Sequence, residues 1–231
     1  MGQLTALLIL AMLVQPQTFA FCFALPRLVC AEYSQSKLVV IAKLERKEYF
    51  EPEHRDAYYV YSLQTTKTLR GNIGPQFRVI EFNNTGRASF YWIVGSTYLL
   101  FLDPTEDGMW SLYGCGNSAP INGAAYALRV INSLSGRRGG VIQGLVADRG
   151  GYPAQIDLSG IAIDVRGDAG EFKAVTNRMG EFKLHVPAGR YTVVPSQPGS
   201  RFTKDIESFE DPNSITIEDG GGAQLQFRRD T

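Results

Sequence analysis

Beyond Lys37 the chain is a succession of short, mostly alternating apolar runs separated by turn residues, a pattern that restricts it to a mainly β fold. Lys37–Leu44, Ala57–Leu69, Phe77–Phe82, Thr97–Leu102 and Met109–Tyr113 read as strands. Residues 83–86 (Asn-Asn-Thr-Gly) and Asp103–Gly108 supply turns between them. One stretch differs. Ala124, Leu128, Ile131 and Leu134 recur at helical spacing, with Pro120 and Asn122 near the start, and predict a single helix. Ser135–Gly140 is then polar and glycine-rich, and residues 136–140 read as a linker. Past it, Val141–Ala147, Ile161–Arg166, Phe172–Val175, Glu181–Val186, Arg190–Val194, Ile215–Glu218 and Gln224–Arg228 read as strands. Turn signals recur roughly every 8 to 12 residues here, the spacing of a β-sandwich. The Gly220-Gly221-Gly222 run suggests a loose hairpin into the last strand. Residues 25–135 and 141–231 are thus expected to be two β-rich domains in tandem.

Leu4–Val14 is an uncharged apolar run. It is too short to span a bilayer, which takes roughly 20 residues, and suits the core of a signal peptide. Small-residue cleavage frames follow at residues 18–20 and 22–24, although no Lys or Arg precedes the run. Residues 1–24 are therefore expected to direct export, giving a secreted or periplasmic protein with no membrane span after cleavage. The cysteines are Cys22, Cys30 and Cys115. Cleavage after Ala24 leaves the last two, the even number expected outside the cell, and pairs Cys30 with Cys115. Closing a loop of that length is worth about 4–5 kcal/mol by chain entropy. Cleavage after Ala20 would instead leave an odd thiol.

In the second half, Gly144 to Asp148, Gly151-Tyr-Pro153-Ala154 and Gly160 to Val165 precede Thr176-Asn177-Arg-Met-Gly180-Glu-Phe182-Lys-Leu184 and Val186-Pro187-Ala188-Gly189-Arg-Tyr191-Thr-Val193. This set is similar to the carboxypeptidase regulatory-like domain, a transthyretin-like β-sandwich, over residues 141–195. The resemblance implies a structural role for these residues; the catalytic zinc domain of the carboxypeptidases has no counterpart here. In the first half, Cys30-Ala-Glu-Tyr, Lys37 to Lys43, Gly95-Ser-Thr-Tyr98-Leu-Leu-Phe101 and Cys115-Gly-Asn-Ser118-Ala-Pro120 follow one another. Their order resembles the netrin-like domain of the tissue inhibitors of metalloproteinases over residues 28–134. That implies an OB-fold barrel stapled to its flanking segment by the disulfide. The inhibitors chelate zinc through an N-terminal Cys-x-Cys, whereas Cys22-Phe-Ala lacks the second cysteine at position 24. Inhibition in that manner is not expected. The expected fold class is mainly β: an OB-fold barrel with one C-terminal helix, then an Ig-like or transthyretin-like β-sandwich.

Charge and chemistry narrow the function. The chain carries 23 Lys+Arg against 23 Asp+Glu, which argues against nucleic acid or an anionic membrane as partner. His54 and His185 have no His or Cys at ligand spacing, so no zinc site is expected. Ser118 lacks the Gly-x-Ser-x-Gly context of a hydrolase nucleophile and is expected to help the chain into the helix. The acidic loops Asp103–Gly108 and Asp205–Asp211 lack the regular oxygen spacing of a calcium loop. No catalytic set, cofactor or metal is therefore expected. A dense aromatic supply remains: Tyr58, Tyr59 and Tyr61 with Phe90, Tyr91 and Trp92. OB-folds bind on strands 2 and 3 and on the loops 1–2 and 4–5, here residues 45–56 and 103–108. These aromatics serve either as core or as a binding surface. The expected function is a non-enzymatic binding or adhesion-type module for extracytoplasmic proteins or glycans. The alternative is a regulator of an enzyme, as a metalloprotease inhibitor or an accessory subunit.

Overall fold

The structure is a computed structural model that describes residues 27–53, 56–82, 91–148, 157–205, 208 and 210–230. The expected signal segment with Cys22, together with His54, Phe90, the turn at 83–86 and residues 151–154, lies outside the described residues.

The first half comprises α1 (Val29–Gln35), β1 (Leu38–Phe50), β2 (Tyr58–Arg70), β3 (Gln76–Phe82), β4 (Thr97–Pro104), β5 (Trp110–Ser111), β6 (Ala119–Pro120) and α2 (Ala125–Leu134). Its 6-stranded sheet runs β1-β2-β3-β5-β4-β6, and β1 also pairs with β4, so the sheet bends round into a partly closed ring. The register of β1 against β2 shifts between Val39 and Val40, Ile41 and Ala42, and Leu44 and Arg46. Such irregularities bend a strand pair and raise its twist.

The near-continuous apolar runs of β1 and β4 have a physical reason: both faces are covered. Leu38, Val40, Ala42 and Leu44, with Tyr98, Leu100 and Leu102, share one core with Tyr61, Leu63, Phe77 and Val79. The alternate residues Val39, Ile41, Leu99 and Phe101 face the helices, packing on Val29, Ala127 and Ile131. α2 buries Ala127, Ile131 and Leu134, and it begins without a side-chain cap. Pro120 belongs instead to β6, where it lies opposite Tyr98.

The second half is β7 (Gly140–Asp148), β8 (Ala162–Gly167), β9 (Gly170–Val175), β10 (Glu181–Val186), β11 (Gly189–Ser196), β12 (Arg201–Lys204), β13 (Ile215–Ile217) and β14 (Gly222–Asp230). Two 4-stranded sheets result, ordered β10-β7-β14-β12 and β13-β11-β8-β9. Both feed a single core: Ile142, Phe182 and Leu225 come from the first sheet, Ile163, Tyr191 and Ile215 from the second. Full burial of side chains this size is worth about 1.5–3 kcal/mol each. The turn between β9 and β10 is held by Asn177, whose Oδ1 accepts the Met179 and Glu181 N–H groups at 2.9 Å.

Two expectations need correction. The glycine run does not make a hairpin, because β13 and β14 lie in different sheets and β14 runs parallel to β7, Leu225 opposite Gly144. Gly220, at φ 74°, lies in the crossing from one sheet to the other; that backbone conformation is unfavourable for other residues. Pairing β14 with β7 also puts Ala223, Leu225 and Phe227 in the common core. Ser118 does not serve the helix: its Oγ accepts the Phe101 N–H at 2.9 Å and fastens the 115–118 segment to β4. The glycine-rich linker, in turn, is held at its end. Gly139 donates to Asp219 Oδ1 at 2.7 Å, and Gly140 already pairs with Val186 in β7.

Candidate functional site

The aromatic residues separate by strand alternation. In the register of β1, β2 and β3, Phe50, Tyr58 and Phe82 fall side by side, and Tyr49 lies opposite Tyr59. Residues on one strand alternate between faces, so these are two sets on opposite sides of the sheet's end. Phe50 and Tyr58 stack with centroids 5.2 Å apart and rings 15° from parallel, and Phe82 meets Tyr58 at 6.0 Å and 60°. Tyr49 and Tyr59 are 5.0 Å apart, with Lys47 Nζ 4.1 Å from the Tyr59 centroid. Aromatic pairs of this kind contribute about 0.5–1.5 kcal/mol each beyond area burial. Phe50, Tyr49 and Phe82 nonetheless keep 40%, 48% and 39% of their surface in solvent. Tyr58 and Tyr59 are half-buried.

Two of the six predicted aromatics are core. Tyr61 and Trp92 are buried and stack at 4.4 Å and 20°, and Trp92 tilts against Tyr98 at 5.0 Å. The Tyr61 hydroxyl donates to Glu81 Oε2 at 2.9 Å. Burial first, then the negative charge of Glu81, pushes its pKa up, so it stays a neutral donor. Tyr91 is exposed. Tyr49 and Phe50 escape the sequence reading because Glu45-Arg-Lys-Glu48 looks like a loop, whereas β1 continues through it to Phe50. The loop joining β1 to β2 is therefore shorter than residues 45–56.

The cysteines do not pair as expected: Cys30 is a free thiol. The reason lies in helix geometry. Residues two apart on an α-helix point about 200° apart. On α1, Glu32 faces the segment after Cys115, accepting the Asn117 N–H at 2.7 Å and its Nδ2 at 2.6 Å. Cys30 accordingly faces the other way, toward Gly222 in β14. Without that bond the cysteine count no longer selects between cleavage after Ala20 and after Ala24.

Glu32 is 1% exposed, and its carboxylate pairs with Arg27 at 3.6 Å. Burial raises its pKa, while Arg27 and Asn117 pull it down. The segment before α1 also reaches the second half, where the Leu28 N–H donates to Gln224 Oε1 at 2.8 Å. Gln224 in turn donates its N–H to Glu210 Oε2 at 3.1 Å. Burial pushes Glu210 up to about 7, against the pull of that N–H, Arg27 and Lys204. Arg70 and Glu218, 3.3 Å apart and part-exposed, make a charged link between the halves.

Elsewhere the acidic loops are used locally. Asp103 Oδ1 accepts the Lys37 N–H, Asp205 pairs with Arg228, and Asp211 accepts the Asn213 N–H. His185 sits exposed on β10. Among the described residues no group of three or more His, Cys, Asp or Glu is placed to hold a metal, and no helix is long and apolar enough to cross a membrane. Comparison with protein-family models gives no match to this chain, and comparison with curated proteins gives none.

Proposed function

We propose that this protein is an exported, non-enzymatic binding module for extracytoplasmic proteins or glycans, built from an OB-fold barrel and a transthyretin-like sandwich. The ring order β1-β2-β3-β5-β4-β1, with β3 parallel to β5, supports the barrel reading. Two sheets on one core support the sandwich reading. The observation that carries binding is the row Phe50–Tyr58–Phe82, an aromatic platform at the end of strands 1, 2 and 3, where Phe50 stacks on Tyr58, Phe82 tilts against it, and both phenylalanines are part-exposed. Exposed aromatics of this rigidity act as anchors, since they bury large area at small entropic cost. A soluble glycan panel and an envelope extract are passed over the immobilised full-length protein and over F50S/F82S. Retention by the unsubstituted protein, reduced about tenfold or more in the variant at unchanged circular dichroism, is the expected result, since losing two anchors exceeds 1.4 kcal/mol. Equal retention by both proteins would remove the platform from the function.

A further inference from the structure

A concavity lies at the junction of the halves, lined by none of the aromatic row. It is a cleft of about 710 Å³ between the segment 137–141, the end of β10 with residues 187–188, and the turn 219–221, with Cys30 among its lining residues. Small-molecule sites commonly occupy roughly 300–1,000 Å³. Its walls are held closely together. A Cβ on Gly140 would meet the Gly221 carbonyl oxygen at 2.5 Å and Ile217 Cγ2 at 2.7 Å. Gly220 donates its N–H to the Gly139 oxygen at 2.8 Å. Val141, Val186, Pro187 and Ala188 give the cleft an apolar lining.

Its charge is positive and unspent. Arg137 and Arg138 lie in the lining, both exposed. Arg137 donates to the Ser133 hydroxyl at 2.9 Å, and among the described residues neither arginine faces a carboxylate. The fields of Lys183 and Arg137 both reach the Cys30 thiol, although burial outweighs them and pushes that thiol up. The lining also holds one carboxylate, Asp219, whose Oδ1 accepts the Gly139 N–H at 2.7 Å, so the two guanidinium groups outnumber it. Guanidinium forks match carboxylate and phosphate oxygens two at a time. We infer that the cleft takes a small amphiphilic anion, its carboxylate or phosphate held by Arg137 and Arg138 and its hydrocarbon laid along Val141, Val186 and Pro187.

The half-buried thiol provides the readout. The full-length protein is treated with iodoacetamide, and alkylation of Cys30 is followed by mass spectrometry of the peptide that carries it. Hexanoate, hexyl phosphate and hexanol are added in turn. Either anion at ten times its dissociation constant should slow the reaction about tenfold, and hexanol should not. Protection by one anion alone assigns the head group. R137A/R138A, two exposed positions, should keep its circular dichroism and lose the protection. Alkylation unaffected by both anions, protection by hexanol equal to theirs, or protection persisting in the double variant would each overturn the inference. F50S/F82S should retain full protection, which separates this site from the aromatic platform.

Discussion

Glu210 is a residue whose protonation bears directly on stability. In the folded chain its carboxyl titrates at about 7, against an ordinary 4.5, because burial penalises its charge. Between those values the folded chain holds a proton that the unfolded chain has released. Its contribution is therefore favourable below about 4.5, and is lost as the pH rises through 7. The swing amounts to about 3 kcal/mol. Urea midpoints should accordingly be higher at about pH 5 than at about pH 8.5, and E210Q should flatten most of the difference. Glu32, more deeply buried, has different surroundings: two Asn117 donors bind it and Arg27 pairs with it. Burial raises both carboxyls, and at Glu32 the Arg27 charge and the Asn117 donors oppose it.

At the scale of elements, α2 distinguishes packing from surface. Ile131 is buried between the helix and the outer faces of β1 and β4, while Tyr126 on the same helix is 66% exposed. I131A should cost about 2–5 kcal/mol in chemical unfolding, and Y126A should stay within about 0.5 kcal/mol of the unsubstituted protein. The same contrast explains which elements are legible in the sequence. β10 is read from Glu181 to Val186 because Phe182 and Val186 alternate with solvent-facing Lys183 and His185. β12 is missed, since Arg201-Phe-Thr-Lys on a sheet edge has one apolar residue and no pattern. β6 is missed because two residues carry no period at all. α1 is missed for a third reason: seven residues hold less than two turns of repeat, and its contacts run to β14 and the 115–118 segment, far away in sequence. The aromatic platform is half legible. Tyr58 is evident as a strand residue, but its neighbours Phe50 and Phe82 come from two other strands, and only register brings them together.

For the whole molecule, the separation of cores matters most. Fifteen buried residues of the second half form one cluster that contains none of the first half's. Links between the halves include Leu28 to Gln224 and Arg70 to Glu218, beside the close approach of Cys30 to Gly222 and of Leu134 to Gly220. A fragment of residues 140–231 should therefore unfold cooperatively by itself, with strand-type circular dichroism. It should melt lower than the same half in the full chain, because Gln224, 1% exposed in the intact molecule, loses its partner at Leu28. A non-cooperative fragment would show that the two halves fold as one.

The parallel placement of β14 beside β7 also sets a schedule. The first strand of the second half finds one of its two neighbours in residues 222–230, some eighty positions later. While a ribosome or a translocation channel delivers the chain one residue at a time, β7 must wait with that edge open. Its hydrogen-bonding groups and the apolar side chains of Ile142 and Val146 are meanwhile available to any passing strand. Closure is then a long-range event with a correspondingly slow step, and the interval before it is when this chain most needs protection from its neighbours.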